Sequence, residues 1–208
     1  MTRSIYIVDD DDAVRASLHT LLSLRSDVIV RSFRTGDQFI AAVPQLDSGV
    51  ALLDFHMPGT NGLDVLAALR EADAGAGKFA AIMLTGEGNV MLAVQAMKAG
   101  ALDFIEKPYE ASTLLDTVDA AFAHLEQANI AVAHSAQARA RIDALSPRER
   151  DVLMGLIEGR ANKVIAYELD ISPRTVEVYR ANLMTKLAVR SLPEALRVAF
   201  AAGMISSS

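Results

Sequence analysis

Five side chains that can do chemistry follow apolar, strand-like runs of this sequence: Asp9, Asp10, Asp54, Thr85 and Lys107. Carboxylates that meet at one site repel one another unless a cation or water screens them. Their hard oxygen atoms favour Mg²⁺ over softer metals, and a carboxylate can also act as a nucleophile toward a phosphoryl group. The residue types therefore predict a site that binds a divalent cation and carries a phosphoryl group on an aspartate.

Asp54 is the preferred nucleophile, because it stands alone at the end of a central predicted strand. A transferring phosphoryl group carries charge that the site must neutralise. The Lys107 ammonium would pair with one phosphoryl oxygen, and the Thr85 hydroxyl would donate a hydrogen bond to another. Each residue alone could be a polar side chain that faces water. Their joint placement at strand ends, in this order, favours a functional site.

Asp9, Asp10 and Asp54 are the expected carboxylate ligands of the Mg²⁺, and the backbone carbonyl of His56 is a further candidate ligand. The acidic run continues with Asp11 and Asp12. We expect those two residues to cap and begin the first helix, because carboxylates suit the positive end of a helix dipole.

The elements that must position these side chains lie in the first 121 residues, where strand and helix patterns alternate. Strands are predicted over 5–9, 28–33, 50–54, 80–85 and 102–106, each followed by a helix. In an open parallel sheet, ligands bind at the carboxyl ends of the strands. The alternation predicts a five-stranded, doubly wound parallel sheet of the flavodoxin-like kind, with the reactive groups at one edge.

A segment without Pro or Gly, residues 110–145, follows the last predicted strand. Its heptad-like seam, with spacings of three and four, consists of Leu115, Val118, Phe122, Leu125, Asn129, Val132, Ala136 and Arg139. The favoured interpretation is a helix that packs on its own domain as far as Leu125 and then frays into an Ala-rich helical linker. The alternative is a helical spacer that pairs two protomers.

Four short helix patterns follow residue 146 and predict a small all-α domain. Ser146, Pro147 and Glu149 form the capping signature that begins the first of them. The second and third are separated by the turn at 170–173, which is typical of a helix-turn-helix. On pattern alone, a four-helix interaction domain is the alternative to a DNA-binding domain.

The third of these helices has an apolar face, expected to be buried, that consists of Val176, Leu183 and Leu187. The opposite face, free to enter a major groove, carries Arg174, Glu177, Val178, Ala181, Asn182 and Thr185. Arg174 could read guanine and Asn182 adenine, whereas Glu177 could accept a hydrogen bond from cytosine. The side chains expected to contact phosphates beside this face are Lys163, Thr175, Arg180 and Lys186.

Charge is distributed unevenly along the 208 residues. The net charge is −8 over residues 1–121 and +2 over residues 146–208, which fits different partners for the two regions. The small positive charge favours DNA binding by a dimer, which doubles the phosphate contacts. Without cysteine, neither disulfides nor thiolate metal sites are possible. No signal-peptide pattern or membrane-length apolar run is present, so we expect a cytoplasmic protein.

Residues 1–121 resemble the receiver domain of two-component response regulators, through the strings IYIVDDDD, ALLDFHMPGTNGLDVL, IMLTGEG and AMKAGALDFIEKPYE. The resemblance implies that Asp54 accepts a phosphoryl group from a phosphohistidine on a sensor histidine kinase, with Asp10 as a direct Mg²⁺ ligand. It also implies that Phe104 is an aromatic switch, although an isolated Phe there could be a core residue. The Lys107-Pro108 bond would be cis, and His56 and Glu87 would tune phosphoryl lifetime.

The stretch LSPRERDVLMGLIEGRANKVIAYELDISPRTVEVYRANLMTKL resembles the DNA-binding domain of LuxR/NarL-type regulators. Together with the receiver motifs, the arrangement is similar to FixJ-like regulators. In that family the last helix dimerises, which here implies a contact surface of small side chains: Ala195, Val198, Ala199 and Ala202. The expected domains are a receiver over 1–121, a helical linker over 122–145 and a DNA-binding domain over 146–208.

The resemblance implies a transcription regulator that phosphorylation of Asp54 converts into a promoter-binding homodimer, with RNA polymerase as a further partner. It is not expected to be an enzyme beyond catalysing its own phosphorylation and dephosphorylation. Two alternatives stay open. One is a phosphotransfer sink whose tail no longer binds DNA, and the other is a DNA-binding dimer that does not depend on phosphorylation.

Overall fold

The computed structural model describes residues 3–73, 77–86 and 90–204, apart from the side chains of Asp73 and Val90. The chain divides into two compact units, Met1–Asn129 and Ile130–Ser208. This division falls within residues 122–145, the predicted linker, so that segment contributes to both units. In the described part of the chain, no helix combines the length and the apolar character that a membrane span requires.

The first unit contains a five-stranded sheet in the order β2-β1-β3-β4-β5, and every neighbouring pair is parallel. The strands are β1 (Arg3–Val8), β2 (Val28–Phe33), β3 (Gly49–Asp54), β4 (Phe79–Thr85) and β5 (Asp103–Glu106). The helices are α1 (Asp12–Leu22), α2 (Gly36–Ala42), α3 (Gly62–Asp73), α4 (Val90–Ala99) and α5 (Ala111–Asp143), and a short 3-10 turn covers Val43–Gln45. The predicted doubly wound parallel sheet is confirmed.

Two apolar layers sandwich the sheet. Phe39 of α2, Val65 of α3 and Ala96 of α4 pack on one face. Leu18 of α1 and Leu114 of α5 pack on the other face. The central strand β3 is buried throughout, as expected for a parallel strand that is covered on both faces. This burial fixes the direction in which the strand ends, and therefore where its terminal Asp54 lies.

The strand register brings the predicted reactive groups to one edge of the sheet. Asp54, the last residue of β3, pairs with Leu84 of β4. Thr85, which follows Leu84 on β4, pairs with Glu106 of β5. The backbone N–H of Lys107 donates to the Thr85 carbonyl at 2.6 Å. The Lys107-Pro108 bond is cis, as the resemblance implied.

Gly62, the first residue of α3, allows this helix to begin directly beneath Asp54. A Cβ at position 62 would lie 2.4 Å from the Asp54 carbonyl oxygen and 2.6 Å from Met83 Cε. The Gly62→Ala substitution is therefore expected to lower the free energy of unfolding by about 2 kcal/mol, since backbone must shift to relieve the overlap. Urea unfolding followed by circular dichroism measures this loss.

Gly86→Ala is the matched control, because a Cβ at position 86 would meet no atom within 4 Å. We expect it to change stability by no more than about 0.5 kcal/mol. Equal destabilisation by the two substitutions would show that the close approach of Gly62 to Asp54 is not the cause.

Helix α5 runs without a break from Ala111 to Asp143. The predicted helical character of residues 122–145 is confirmed as far as Asp143, but the expected fraying after Leu125 is wrong. The segment is rich in Ala and lacks Gly and Pro, which favours continuous helix. Its final turns also bury Ala138 and Ile142. Between Leu125 and Ala138, the seam residues Asn129, Val132 and Ala136 are exposed, and so is Arg139 after Ala138. Pairing of two protomers along this seam stays a prediction.

The second unit contains the end of α5 and four further helices. These are α6 (Pro147–Ile157), α7 (Asn162–Glu168), α8 (Pro173–Lys186) and α9 (Leu192–Ala201). Serine side chains cap three of them, and at α6 Ser146 and Glu149 form the predicted capping box. The core includes Ile142, Val152, Ile165, Val176 and Leu183, so α7 and α8 form the predicted helix-turn-helix on a common apolar base.

Candidate functional site

A single ammonium group links two buried carboxylates at the edge of the sheet. Lys107 Nζ donates to Asp9 Oδ2 at 2.8 Å and to Asp54 Oδ1 at 2.6 Å. Asp9 is only 1% exposed and Asp54 only 7%. Residues far apart in sequence, directly after β1, at the end of β3 and directly after β5, therefore meet as the sequence predicted.

Three carboxylates lie close enough to share one cation. Ligand atoms of Asp9, Asp10 and Asp54 all lie within 4.8 Å of one another. An all-oxygen donor set of this charge fits Mg²⁺, which uses few carboxylates and keeps several waters. The backbone N–H of His56 donates to Asp54 Oδ2 at 3.1 Å, which orients the Asp54 carboxylate. A ligand role for the His56 carbonyl stays a prediction.

The electrostatics of the site reflect burial and charge pairing. Burial raises the pKa of Asp54, Lys107 opposes this rise, and the nearby Asp9 and Asp10 carboxylates add to it. Burial alone would lower the pKa of Lys107, but its hydrogen bonds to Asp54 and Asp9 outweigh that effect and raise it. Lys107 is therefore a stable cation, whereas the Asp54 carboxylate would gain from a further positive charge.

Sequence reasoning missed Arg15 on α1, which supports the acidic turn. Its Nη1 donates to the Asp9 backbone carbonyl at 2.6 Å, and its Nη2 pairs with the Asp12 carboxylate. The spacing of three residues between Asp12 and Arg15 on a helix was the available signal. Asp11 caps α1 by accepting from the N–H groups of Ala13 and Val14, so the expected helix-start roles of Asp11 and Asp12 are confirmed.

Thr85 and Phe104, the predicted switch residues, differ in exposure. Thr85 is buried, at 4% exposure, next to the Lys107 backbone. Phe104 on β5 is 41% exposed, so the alternative of a core aromatic residue is wrong. A switching role for either residue stays a prediction, and Glu87 lies outside the described residues.

The predicted DNA-reading face of α8 is exposed. Val176, Leu183 and Leu187 are fully buried as expected. All six residues expected on the opposite face are exposed: Arg174, Glu177, Val178, Ala181, Asn182 and Thr185. An exposed helix face over an apolar base has the geometry that a major groove admits.

The four residues expected to contact phosphate differ in their surroundings. Lys163 is exposed. Arg180 Nη1 donates to Asn162 Oδ1 at 2.7 Å, and the Thr175 hydroxyl lies 2.8 Å from the Ser172 hydroxyl at the start of α8. Lys186 Nζ donates to Glu149 Oε2 at 2.6 Å. The ammonium of Lys186 thus already has an anionic partner within its own unit.

The expected dimerisation surface on α9 needs correction. Ala195 and Ala199 are fully buried in the core of the second unit, and Val198 and Ala202 pack against that core. Ala195 and Ala199 therefore do not form a free surface. A stripe of small residues fits close packing within one domain as well as packing between two chains, and the sequence pattern does not separate these cases.

Two family comparisons decide the identity of the chain. Residues 5–119 match the family described as response regulator receiver domain. Residues 143–199 match the family described as bacterial regulatory proteins, luxR family. The chain belongs to the response regulators.

Relatives match this response regulator over nearly its whole length. The transcriptional regulatory protein FixJ of Bradyrhizobium diazoefficiens is 45% identical over 202 residues, which cover 97% of each chain. FixJ of Rhizobium meliloti is 42% identical over 200 residues, or 96% of each chain. The resemblance to FixJ-like regulators of the LuxR/NarL type is therefore confirmed.

Solved structures agree with this assignment. Full-length FixJ from B. japonicum aligns with a TM-score of 0.59 at 43% identity and covers 99% of this chain and 100% of its own. The response regulator StyR aligns with a TM-score of 0.80 at 32% identity and covers 96% and 99%. The receiver and the helical unit thus occur together in relatives of the same length.

Glu149 of this response regulator, at the start of α6, carries a charge that the fold stabilises. Its hydrogen bond from Lys186 and that from the Ser146 backbone lower the pKa of the carboxyl below its ordinary 4.5. The stability from this charge is present above pH 4.5 and is lost as the pH falls through the lower folded pKa. Glu149→Gln is expected to cost about 1 kcal/mol at neutral pH and nothing at acid pH.

Urea unfolding at several pH values measures the difference between wild type and Glu149→Gln. Glu177→Gln, on the exposed face of α8, is the control for replacing a glutamate by its amide. A Glu149→Gln deficit that stays constant down to acid pH would contradict the assignment of the effect to the carboxylate charge.

Proposed function

We propose that this response regulator is a phosphorylation-activated, DNA-binding regulator of transcription, and that Asp54 is its phosphoacceptor. The carrying observation is the Lys107 ammonium between the Asp9 and Asp54 carboxylates. It lies in the same chain as an exposed helix-turn-helix face. The names of the FixJ relatives, transcriptional regulatory proteins, support the same function. We propose a receiver over 1–121, a linker over 122–145 and a DNA-binding domain over 146–208.

Phosphoryl transfer to Asp54 follows from the groups around it. An Asp54 carboxylate oxygen forms the new bond to phosphorus, and the bond between phosphorus and the imidazole nitrogen of the sensor kinase's phosphohistidine breaks. Lys107 is already within hydrogen-bond distance of Asp54 Oδ1, so it can pair with the incoming phosphoryl oxygen. The Thr85 hydroxyl is the second proposed donor, since Thr85 is the last residue of β4 and lies at the same edge of the sheet.

Mg²⁺ is the proposed cofactor, held by Asp9, Asp10 and Asp54, with the His56 carbonyl as a further ligand. When bound, it supplies positive charge to the phosphoryl oxygens. The chemistry concerns only the protein's own phosphoryl group, so the chain is a regulator with self-phosphorylation and self-dephosphorylation activity rather than an enzyme with an outside substrate.

The proposed output is promoter binding by a homodimer in the cytoplasm, with RNA polymerase as a further partner. Dimerisation would double both the recognition length and the number of phosphate contacts, which the small positive charge of residues 146–208 favours. Phe104, exposed on β5, is the proposed residue whose rotation would remodel the receiver surface when Thr85 moves toward the phosphoryl group.

Incubation of the full chain with acetyl phosphate and Mg²⁺ tests the phosphoacceptor assignment. Intact-mass measurement should show the addition of one phosphoryl group, and peptide mapping should place it on Asp54. A chelator should suppress the reaction. Absence of incorporation, or a phosphoryl group on another residue, would contradict the proposal.

A further inference from the structure

We propose that Lys186 is a positioning residue that sets the orientation of α8 through Glu149, rather than a contact to DNA phosphate. The inference rests on the proposed DNA binding of the second unit. It gives Glu149 on α6 and Arg141 on α5 a part in sequence recognition, although neither belongs to the exposed reading face of α8.

The Glu149 carboxylate depends on Lys186. The Glu149 side chain is 5% exposed, and its Oε2 accepts from Lys186 Nζ at 2.6 Å and from the Ser146 N–H at 2.7 Å. The Lys186 side chain is 42% exposed, so only the carboxylate of this pair is buried. Removing the ammonium leaves that buried carboxylate with one partner fewer, which carries an energetic cost. Moving Lys186 from Glu149 to a DNA phosphate would therefore carry this penalty.

Lys186 lies beside the reading face of α8 rather than on it. At 3.6 residues per turn, Lys186 lies roughly a third of a turn away from the centre of the reading face. With Glu149 it forms a pair without net charge. Such a pair releases few counterions from DNA, whereas an unpaired lysine at a phosphate adds to the salt dependence of binding.

The backbone of the same helix end is held by a second cation. Arg141 Nη1, in the last turns of α5, donates at 3.3 Å to the carbonyl of Leu187, the C-cap residue of α8. Two contacts at adjacent residues thus hold the end of α8. The Lys186 side chain contacts Glu149 at the start of α6, and the Leu187 carbonyl accepts from Arg141 near the end of α5.

Fixing this end matters for reading bases, because Asn182 and Thr185 lie in the last turns of α8. Recognition groups must be held within about 0.5 Å of their productive position. Long, flexible phosphate-contacting side chains tolerate larger shifts. Loss of the Glu149–Lys186 pair should therefore reduce discrimination between sequences more than it reduces binding to DNA in general.

The test uses the full chain with acetyl phosphate and two probes: a duplex enriched by the wild-type chain from a random-sequence pool, and a scrambled duplex of the same composition. For Lys186→Met, the affinity for the enriched duplex divided by that for the scrambled duplex should fall about tenfold. This is the loss expected if one base were no longer read. Its slope of log affinity against log salt on the scrambled duplex should equal that of wild type. Glu149→Gln should reproduce the reduced ratio, and Lys186→Arg should restore most of it.

Lys163→Met is the control for a residue that binds DNA phosphate. The magnitude of its slope of log affinity against log salt should decrease by about 0.9 for each phosphate that the variant no longer neutralises. The ratio of its affinities for the enriched and the scrambled duplex should stay unchanged. Lys186→Met that behaves like Lys163→Met would overturn the inference, and so would an unchanged ratio. A wild-type chain that binds neither duplex would overturn the proposed function, and this inference with it.

Discussion

Asp54→Asn is expected to abolish phosphoryl incorporation. At neutral pH it should also raise the free energy of unfolding by on the order of 1 kcal/mol at most, because solvent that reaches the site screens the charge. Burial raises the pKa of the Asp54 carboxyl despite the opposing Lys107. The folded chain therefore binds this proton more tightly than the unfolded chain does. The neutral amide removes a charge that the fold disfavours.

The sign of the pH dependence follows from this raised pKa. The stability that protonated Asp54 contributes is present below its ordinary pKa of 3.8 and is lost as the pH rises through the higher folded pKa. The advantage of Asp54→Asn should therefore appear as the pH rises and vanish in acid. Urea unfolding at several pH values measures it, and Asp116→Asn, exposed on α5, is the control. An Asn variant less stable than wild type at neutral pH would contradict this account.

Lys107→Met is expected to have the opposite effect on stability and to be more severe. It removes the ammonium that contacts both Asp9 and Asp54 but keeps most of the apolar stem. Two buried carboxylates then face each other without that cation, so we expect a loss of about 3 kcal/mol. Phosphoryl incorporation should also fall, because the phosphoryl oxygens lose their protein cation.

Added Mg²⁺ separates this electrostatic explanation from simple misfolding. It should raise the melting temperature of Lys107→Met more than that of wild type, because the variant has more uncompensated negative charge. Lys98→Met, exposed on α4, serves as the control. A Lys107→Met variant as stable as wild type without Mg²⁺, or one whose melting temperature Mg²⁺ does not raise, would refute the assignment.

The receiver site was predictable because topology alone aligns its parts. Apolar runs that each end in a reactive residue, in a parallel sheet, must deliver those residues to one edge. Asp9, Asp54 and Lys107 meet for that reason. Arg15 was missed because its contact with the site is to the Asp9 backbone carbonyl, and a backbone acceptor leaves no pattern of residue types. The spacing from Asp12 indicated only an ion pair along α1.

The helical unit was less predictable, because helix patterns show which face is apolar but not what covers it. Ala195 and Ala199 lie in the unit's own core, although small residues would serve equally well between protomers. Lys186 looked like a free cation near the reading face until Glu149, 37 residues away in sequence, proved to be its partner. Contacts between side chains on different helices depend on packing angles that periodicity does not encode.

The measurement that tests the central claim most directly is the affinity of the full chain for its enriched duplex, with and without acetyl phosphate. Wild type should bind roughly tenfold or more tightly with the phosphodonor, as a coupling between two sites of this size allows, and Asp54→Asn should not respond. Equal wild-type affinities in the two conditions, matched by Asp54→Asn, would contradict the account and indicate DNA binding that is independent of phosphorylation.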